Sequence, residues 1–173
     1  MLICAFEMKK LVILILSIII AAILIIEALI FLHITRLPFI QLTFLNATHS
    51  LVHWIGWIGT LFIALSTPIQ PIVKRKFLKH KEKILDIHMI GNLIAVLLVS
   101  IHFAHQVTRP AGNYPDLNTG IILYATMILL VSTGFVMYSG IAKRFYKQIL
   151  FFHPAFALTF YMIIIMHIIQ NGI

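Results

Sequence analysis

The chain has 173 residues, is 61% hydrophobic and only 10% charged, and carries a formal net charge of +8. Soluble domains hold about a quarter charged residues, so this composition excludes an ordinary globular protein and points to a bilayer. The Lys and Arg fall in short clusters between apolar runs, which reads as membrane topology and not as nucleic-acid binding. A single Cys4 excludes an internal disulfide or a cysteine-ligated cluster within one chain. No nucleotide-binding glycine fingerprint is present, and no stretch is long enough for a soluble catalytic domain.

The first predicted span covers about residues 11–33, after Met8-Lys9-Lys10. It starts like a signal sequence but is too long and lacks a small-residue cleavage site, so a retained helix is expected, with Met1 or Met8 as the start. Glu27 lies within it, either hydrogen-bonded towards the bundle or serving as a proton or quinone contact. Residues 34–50 are too mixed to span and suggest an interfacial connection with a short surface helix. Asn46-Ala47-Thr48 matches a glycosylation sequon, a weak signal.

A second span, about 51–73, carries Gly56 and Gly59 for close helix approach, and Pro68 and Pro71 towards a kinked or fraying end. The sequence KRKFLKHKEK at 74–83 is the strongest charge cluster. The third span, about 84–107, carries His88 and His102, and a nearly neutral loop rich in turn formers follows. A fourth span covers about 119–141 and ends in a basic turn with Lys143, Arg144 and Lys147; the fifth, about 149–170, carries His153 and His167.

These spans predict an all-α integral membrane protein, a five-helix bundle forming one domain over residues 1–173. An inside N-terminus puts Lys9, Lys10, the 74–83 cluster, Lys143, Arg144 and Lys147 in the cytoplasm, with Arg36 and Arg109 outside. The C-terminus is then expected outside, and the third and fifth spans run parallel.

Within each histidine pair the spacing is fourteen residues. On a helix that is roughly 21 Å and almost four turns, so both members face nearly the same side. Parallel helices bring His88 level with His153 near the inner face, and His102 level with His167 near the outer one. Two b-type haems, one above the other, would satisfy this pattern. A haem iron with two axial imidazoles has no open position and passes single electrons. A lone intramembrane histidine is often just a helix–helix hydrogen bond. Four at one spacing on two parallel helices form a pattern that such bonds do not require. A metal carrier would cluster its histidines at one depth with carboxylates.

The segments His88-Met89-Ile90-Gly91 through His102, Thr119-Gly120, Ser132-Thr133-Gly134, and Phe152-His153 through His167 resemble the ferric reductase-like transmembrane domain. The resemblance covers roughly residues 51–170. It implies that His88 and His153 bind an inner haem, and His102 and His167 an outer one. Family oxidoreductases commonly add a sixth span and a cytoplasmic flavin and nicotinamide domain, and neither is expected within these 173 residues. The resemblance therefore implies an electron-transfer subunit of a larger redox system in the cell membrane. Its donor would be a flavoprotein, an iron–sulfur protein or quinol, and complex formation or oligomerisation is open.

His49 and His53, at i and i+4, suggest one helix face and a speculative outer metal site, against interfacial histidines that bond water and headgroups. His105 competes with His102 as outer ligand, but its offset from His88 is roughly 100° against roughly 40° for His102. His80, in the basic loop, is expected to be solvated, and Arg36, Arg109 and the inner lysines could meet haem propionates or lipid phosphates. Two other functions stay open at this point: a quinol-reactive cytochrome b subunit of a respiratory oxidoreductase, and a non-redox membrane protein such as a histidine-using metal-ion carrier.

Overall fold

A computed structural model describes residues 2–32, 34, 40–44, 47–108 and 118–171. His33, Arg36, Arg109 and the sequon's Asn46 lie outside the described residues. The elements are α1 (Leu2–Phe31), a hairpin of β1 (Gln41–Phe44) and β2 (Ala47–Ser50), α2 (Leu51–Lys76), α3 (Lys81–Val107), α4 (Asn118–Ser139) and α5 (Tyr146–Asn171). Single 3-10 turns, Leu78–His80 and Lys143–Phe145, join α2 to α3 and α4 to α5. All five helices are long and apolar enough to cross a membrane. Large side chains such as Leu24, Ile58, Ile72, Leu158 and Ile169 stay exposed on their outer faces, far more apolar surface than a soluble monomer leaves open.

The expected surface helix within 34–50 is instead a hairpin. Gln41 pairs with Ser50 and Leu42 with His49, antiparallel. In the same register Thr43 pairs with Thr48 and Phe44 with Ala47, and Thr and Phe are residue types that strands favour. Ser50 then caps α2, its hydroxyl accepting from the His53 amide at 3.3 Å. The Trp54 indole donates to the Leu42 carbonyl at 3.2 Å, which pins the hairpin to the helix.

Helix α2 runs through both prolines to Lys76, three residues past the expected end. Pro68 has no N–H for the Ala64 carbonyl four residues earlier. The Tyr161 hydroxyl of α5 donates to that carbonyl instead, so the break in the ladder becomes a tie between helices. Helix α4 stops two residues sooner than expected, at Gly140, whose φ of 69° ends it in the left-handed region. Helix α3 starts three residues sooner, at Lys81.

The centre of the bundle is α3, which packs against α1, α2 and α4, while α5 packs on α4. Small residues set the α2–α3 seam: a Cβ at Gly59 would stand 2.6 Å from the Ala95 carbonyl oxygen, and one at Gly56 would stand 2.6 Å from the His102 ring. Polar ties fix direction. Ser100 meets Tyr124 and Asp86 meets Tyr138, so α3 and α4 are antiparallel. Thr119 meets His167 and Thr133 meets His153, so α4 and α5 are antiparallel too. Hence α3 and α5 run parallel, as expected. They do not pack closely on each other, and the space between them is where the histidines meet.

Candidate functional site

The basic end, next to the two basic turns, holds His88 and His153. Both line one small cavity with Thr67, Met89, Asn92, Leu130, Val131 and Gly134. The cavity is about 10 Å³, room for one water. Nδ1 of His153 lies 3.0 Å from the Thr133 hydroxyl and 3.1 Å from the Leu130 carbonyl. A carbonyl only accepts, and the Thr133 hydroxyl already donates to the Leu129 and Leu130 carbonyls. Nδ1 therefore carries the proton, and the lone pair is left on Nε2.

The His88 ring lies against Asn92, whose Nδ2 is 3.1 Å from His88 Nε2 and 3.4 Å from Nδ1, while Asn92 Oδ1 accepts from the Ser66 hydroxyl at 2.8 Å. Two imidazoles, one on α3 and one on α5, thus line one cavity. Gly134 keeps the approach open, since a Cβ there would be 3.2 Å from His153 Cε1.

The hairpin end holds the other pair. His167 has Nδ1 3.2 Å from the Thr119 hydroxyl, and a Cβ on Gly120 would meet its Cε1 at 3.5 Å. His102 lies within electrostatic reach of His167, His53 and His105. It has the Val52 carbonyl nearby, while its Nδ1 is buried without a hydrogen bond of normal geometry. The His53 ring stands edge-on to His102, centroids 5.2 Å apart.

The two levels repeat one another beyond the histidines. On α4, residues 119–124 read TGIILY and residues 133–138 read TGFVMY, again fourteen apart. In each copy the Thr meets an α5 histidine, the Gly faces that ring, and the Tyr bonds a polar α3 residue. On α3, Asp86-Ile87-His88 with Asn92 is answered by Ser100-Ile101-His102 with Gln106. Three consecutive helices share one period, which at roughly 21 Å stacks two copies of a site. Thr119, Thr133, Tyr124 and Tyr138 make polar contacts that histidine spacing alone does not flag. The T-G-x-x-x-Y repeat is the signal that finds them.

The other histidines sort as follows. His49 sits on β2, not on the α2 face expected from its spacing, though its ring still stacks on His53 at 4.4 Å. His53 Nε2 accepts from the Trp57 indole at 3.0 Å. Stacked rings aim their lone pairs outward in the ring planes and do not converge on an ion between them. Among the described residues, no group of three or more His, Cys, Asp or Glu is placed to hold a metal ion. His105 is buried on α3 near His102, and His80 is exposed in the basic turn.

Each level brings together two imidazoles on separate helices, with a small residue beside the α5 ring. The basic-end cavity is far smaller than a haem macrocycle. No family model, curated protein or solved structure matches this chain.

Proposed function

We propose that the chain is a di-haem b-type membrane cytochrome, the electron-transfer subunit of a larger redox system, of the ferric reductase-like kind. The observation that carries this reading is the repeated site: two imidazole pairs at two levels, each with its own Thr, Gly and Tyr from the helix between. A hydrogen-bonded helix contact needs one such arrangement. Two copies at a common period suit two equal prosthetic groups.

When bound between two imidazoles, a haem supplies one-electron chemistry with no open position for oxygen or substrate. The chain's own residues supply the rest. His88 and His153 would hold the basic-end group, and His102 and His167 the hairpin-end group. Thr133 and Leu130 hold the His153 proton on Nδ1 and orient the ring. Asn92, held by Ser66, packs against the His88 ring and would have to give way for that ring to hold iron. Phe160 and Met127, both almost fully buried, close the apolar layer between the levels and exclude water.

The five apolar helices support placement in the cell membrane, and the charges support an orientation within it. Lys74, Arg75, Lys76, Lys79, Lys81, Lys83, Lys143, Arg144 and Lys147 all gather at one end, which the positive-inside rule assigns to the cytoplasm. The C-terminus then lies outside. The donor, a flavoprotein, an iron–sulfur protein or membrane quinol, delivers electrons from that side or from the bilayer.

The reading is tested by reconstituting the purified protein in vesicles with ferricyanide trapped inside and dithionite outside. Vesicles containing the protein are expected to bleach the trapped acceptor, and His102→Ala to abolish the bleaching. Equal rates with and without the protein would refute the reading.

A further inference from the structure

The two turns that join α2 to α3 and α4 to α5 are built alike. Lys74-Arg75-Lys76-Phe77-Leu78-Lys79 in the first is matched by Lys143-Arg144-Phe145-Tyr146-Lys147 in the second. In each, a cation lies over the exposed phenylalanine ring that follows it. Lys76 Nζ is 5.9 Å from the Phe77 centroid, and Arg144 Cζ is 5.9 Å from that of Phe145. Tyr138, just before the second turn, donates to Asp86, just after the first, so both turns lie at one end of the bundle.

Nine cations gather there against two acids, Glu82 and Asp86. Among the described residues, none of the nine is in an ion pair. The fold does not call for all of them. Lys74, Arg75 and Lys76 sit in the last turn of α2, where a helix C-terminus favours positive charge. Lys81, Lys83 and Lys147 sit in the first turns of α3 and α5, where the same dipole disfavours it. Negative charge brought from outside the chain would offset that cost.

The neighbours of the cations select the kind of anion. Leu78, Ile141 and Phe145 are 69%, 77% and 55% exposed, and they continue the apolar outer faces of α2 and α5 at Ile72, Leu150 and Phe151. Both turns are short, so the cations stand flush with the ends of helices long enough to cross a bilayer. Apolar and aromatic side chains at the border of a spanning region, with Lys and Arg just beyond, match the acyl and phosphate layers of a phospholipid surface. An acidic protein face would match the charges but not the exposed Leu, Ile and Phe beside them.

We propose that the basic end is a binding surface for anionic phospholipid. Lys79, Lys81, Lys83, Lys143, Arg144 and Lys147 hold headgroup phosphates, while Phe77, Leu78 and Phe145 pack against the upper acyl chains. The proposal rests on the membrane placement above and is independent of the haem assignment.

The test starts from the purified chain in vesicles of equal phosphatidylglycerol and phosphatidylcholine. The chain is extracted in mild detergent, and the lipids that stay bound are counted by native mass spectrometry. Phosphatidylglycerol is expected to be enriched at least about fivefold, the contribution of a single cation at an anionic surface, and a high-salt wash to lower the ratio. Lys79→Gln/Lys81→Gln/Lys83→Gln and Lys143→Gln/Arg144→Gln/Lys147→Gln should each lower the enrichment, and the six together should bring the ratio near one. Phe77→Ala/Phe145→Ala should reduce the number of lipids retained. Retention unchanged in either set of variants overturns the proposal. Equal retention of both lipids by the wild type, with tight binding of polyglutamate, overturns it in favour of an acidic protein partner. A chain that fails to float with vesicles in a density gradient refutes the membrane placement itself, and that result is read before any lipid is counted.

Discussion

The two ends of the bundle carry matching histidine pairs on the same helices but meet different neighbours on α2 and α1. At the basic end α2 contributes hydroxyls: Thr67 lines the cavity, and Ser66 holds Asn92 against His88. At the hairpin end α2 contributes Gly56, against which the His102 ring is pressed, and the edge-on ring of His53. Tyr138 meets an acid of α3, Asp86, and Tyr124 meets one of α1, Glu27. A duplicated period builds two sites of one geometry, and unduplicated flanks then make them unequal. Two centres of different potential are the expected result, since burial, charge and hydrogen bonding set the potential once the ligands are fixed.

The largest effect should come from the ligands themselves. His88→Ala or His153→Ala is expected to lose the basic-end haem and keep much of the other spectrum, and His102→Ala or His167→Ala the reverse. Haem content and a two-step reductive titration check this. If His102→Ala kept both haems while His105→Ala lost one, the hairpin-end assignment would be wrong. Next come the hydroxyls that orient the α5 rings. Thr119→Val and Thr133→Val should each weaken haem retention by about 10- to 100-fold at their own level. Thr133→Val belongs at the lower end of that range because the Leu130 carbonyl still holds His153. Haem transfer to apomyoglobin measures both.

Smaller effects fall on packing. Gly59→Ala pushes a Cβ into the Ala95 carbonyl, which backbone cannot easily relieve, and should cost about 1–3 kcal/mol in thermal or denaturant unfolding in detergent. Gly120→Ala, facing His167 at an ordinary 3.5 Å, should be nearly silent. Tyr161→Phe should cost about 1 kcal/mol by stranding the Ala64 carbonyl. Pro68→Ala restores an N–H for that carbonyl, so Tyr161→Phe should cost less in the Pro68→Ala background. Equal costs in both backgrounds would show that the hydroxyl is not replacing the missing helix bond.

The parts legible in the sequence were those written as period and composition. Apolar run length located five helices, and the fourteen-residue histidine spacing with the charge clusters made α3 and α5 parallel. Gly56 and Gly59 correctly announced a close seam. The hairpin was missed because ten mixed residues show neither a helical nor a convincing alternating period, and His49 was consequently placed on the wrong element. What repairs the ladder at Pro68 was not legible, because the partner, Tyr161, is nearly a hundred residues away. The Thr and Gly of α4 lay in plain view, but their role depends on a facing helix, which a single strip of sequence does not reveal.

The central claim is that each level holds one haem between α3 and α5. Its most direct test is the haem-to-protein ratio of the purified, stably folded chain, measured beside the His88→Ala/His102→Ala double variant. Two reducible haems per wild-type chain and none in the double variant are expected. A colourless wild-type chain that is nevertheless folded, or a double variant that keeps its haem, would contradict it.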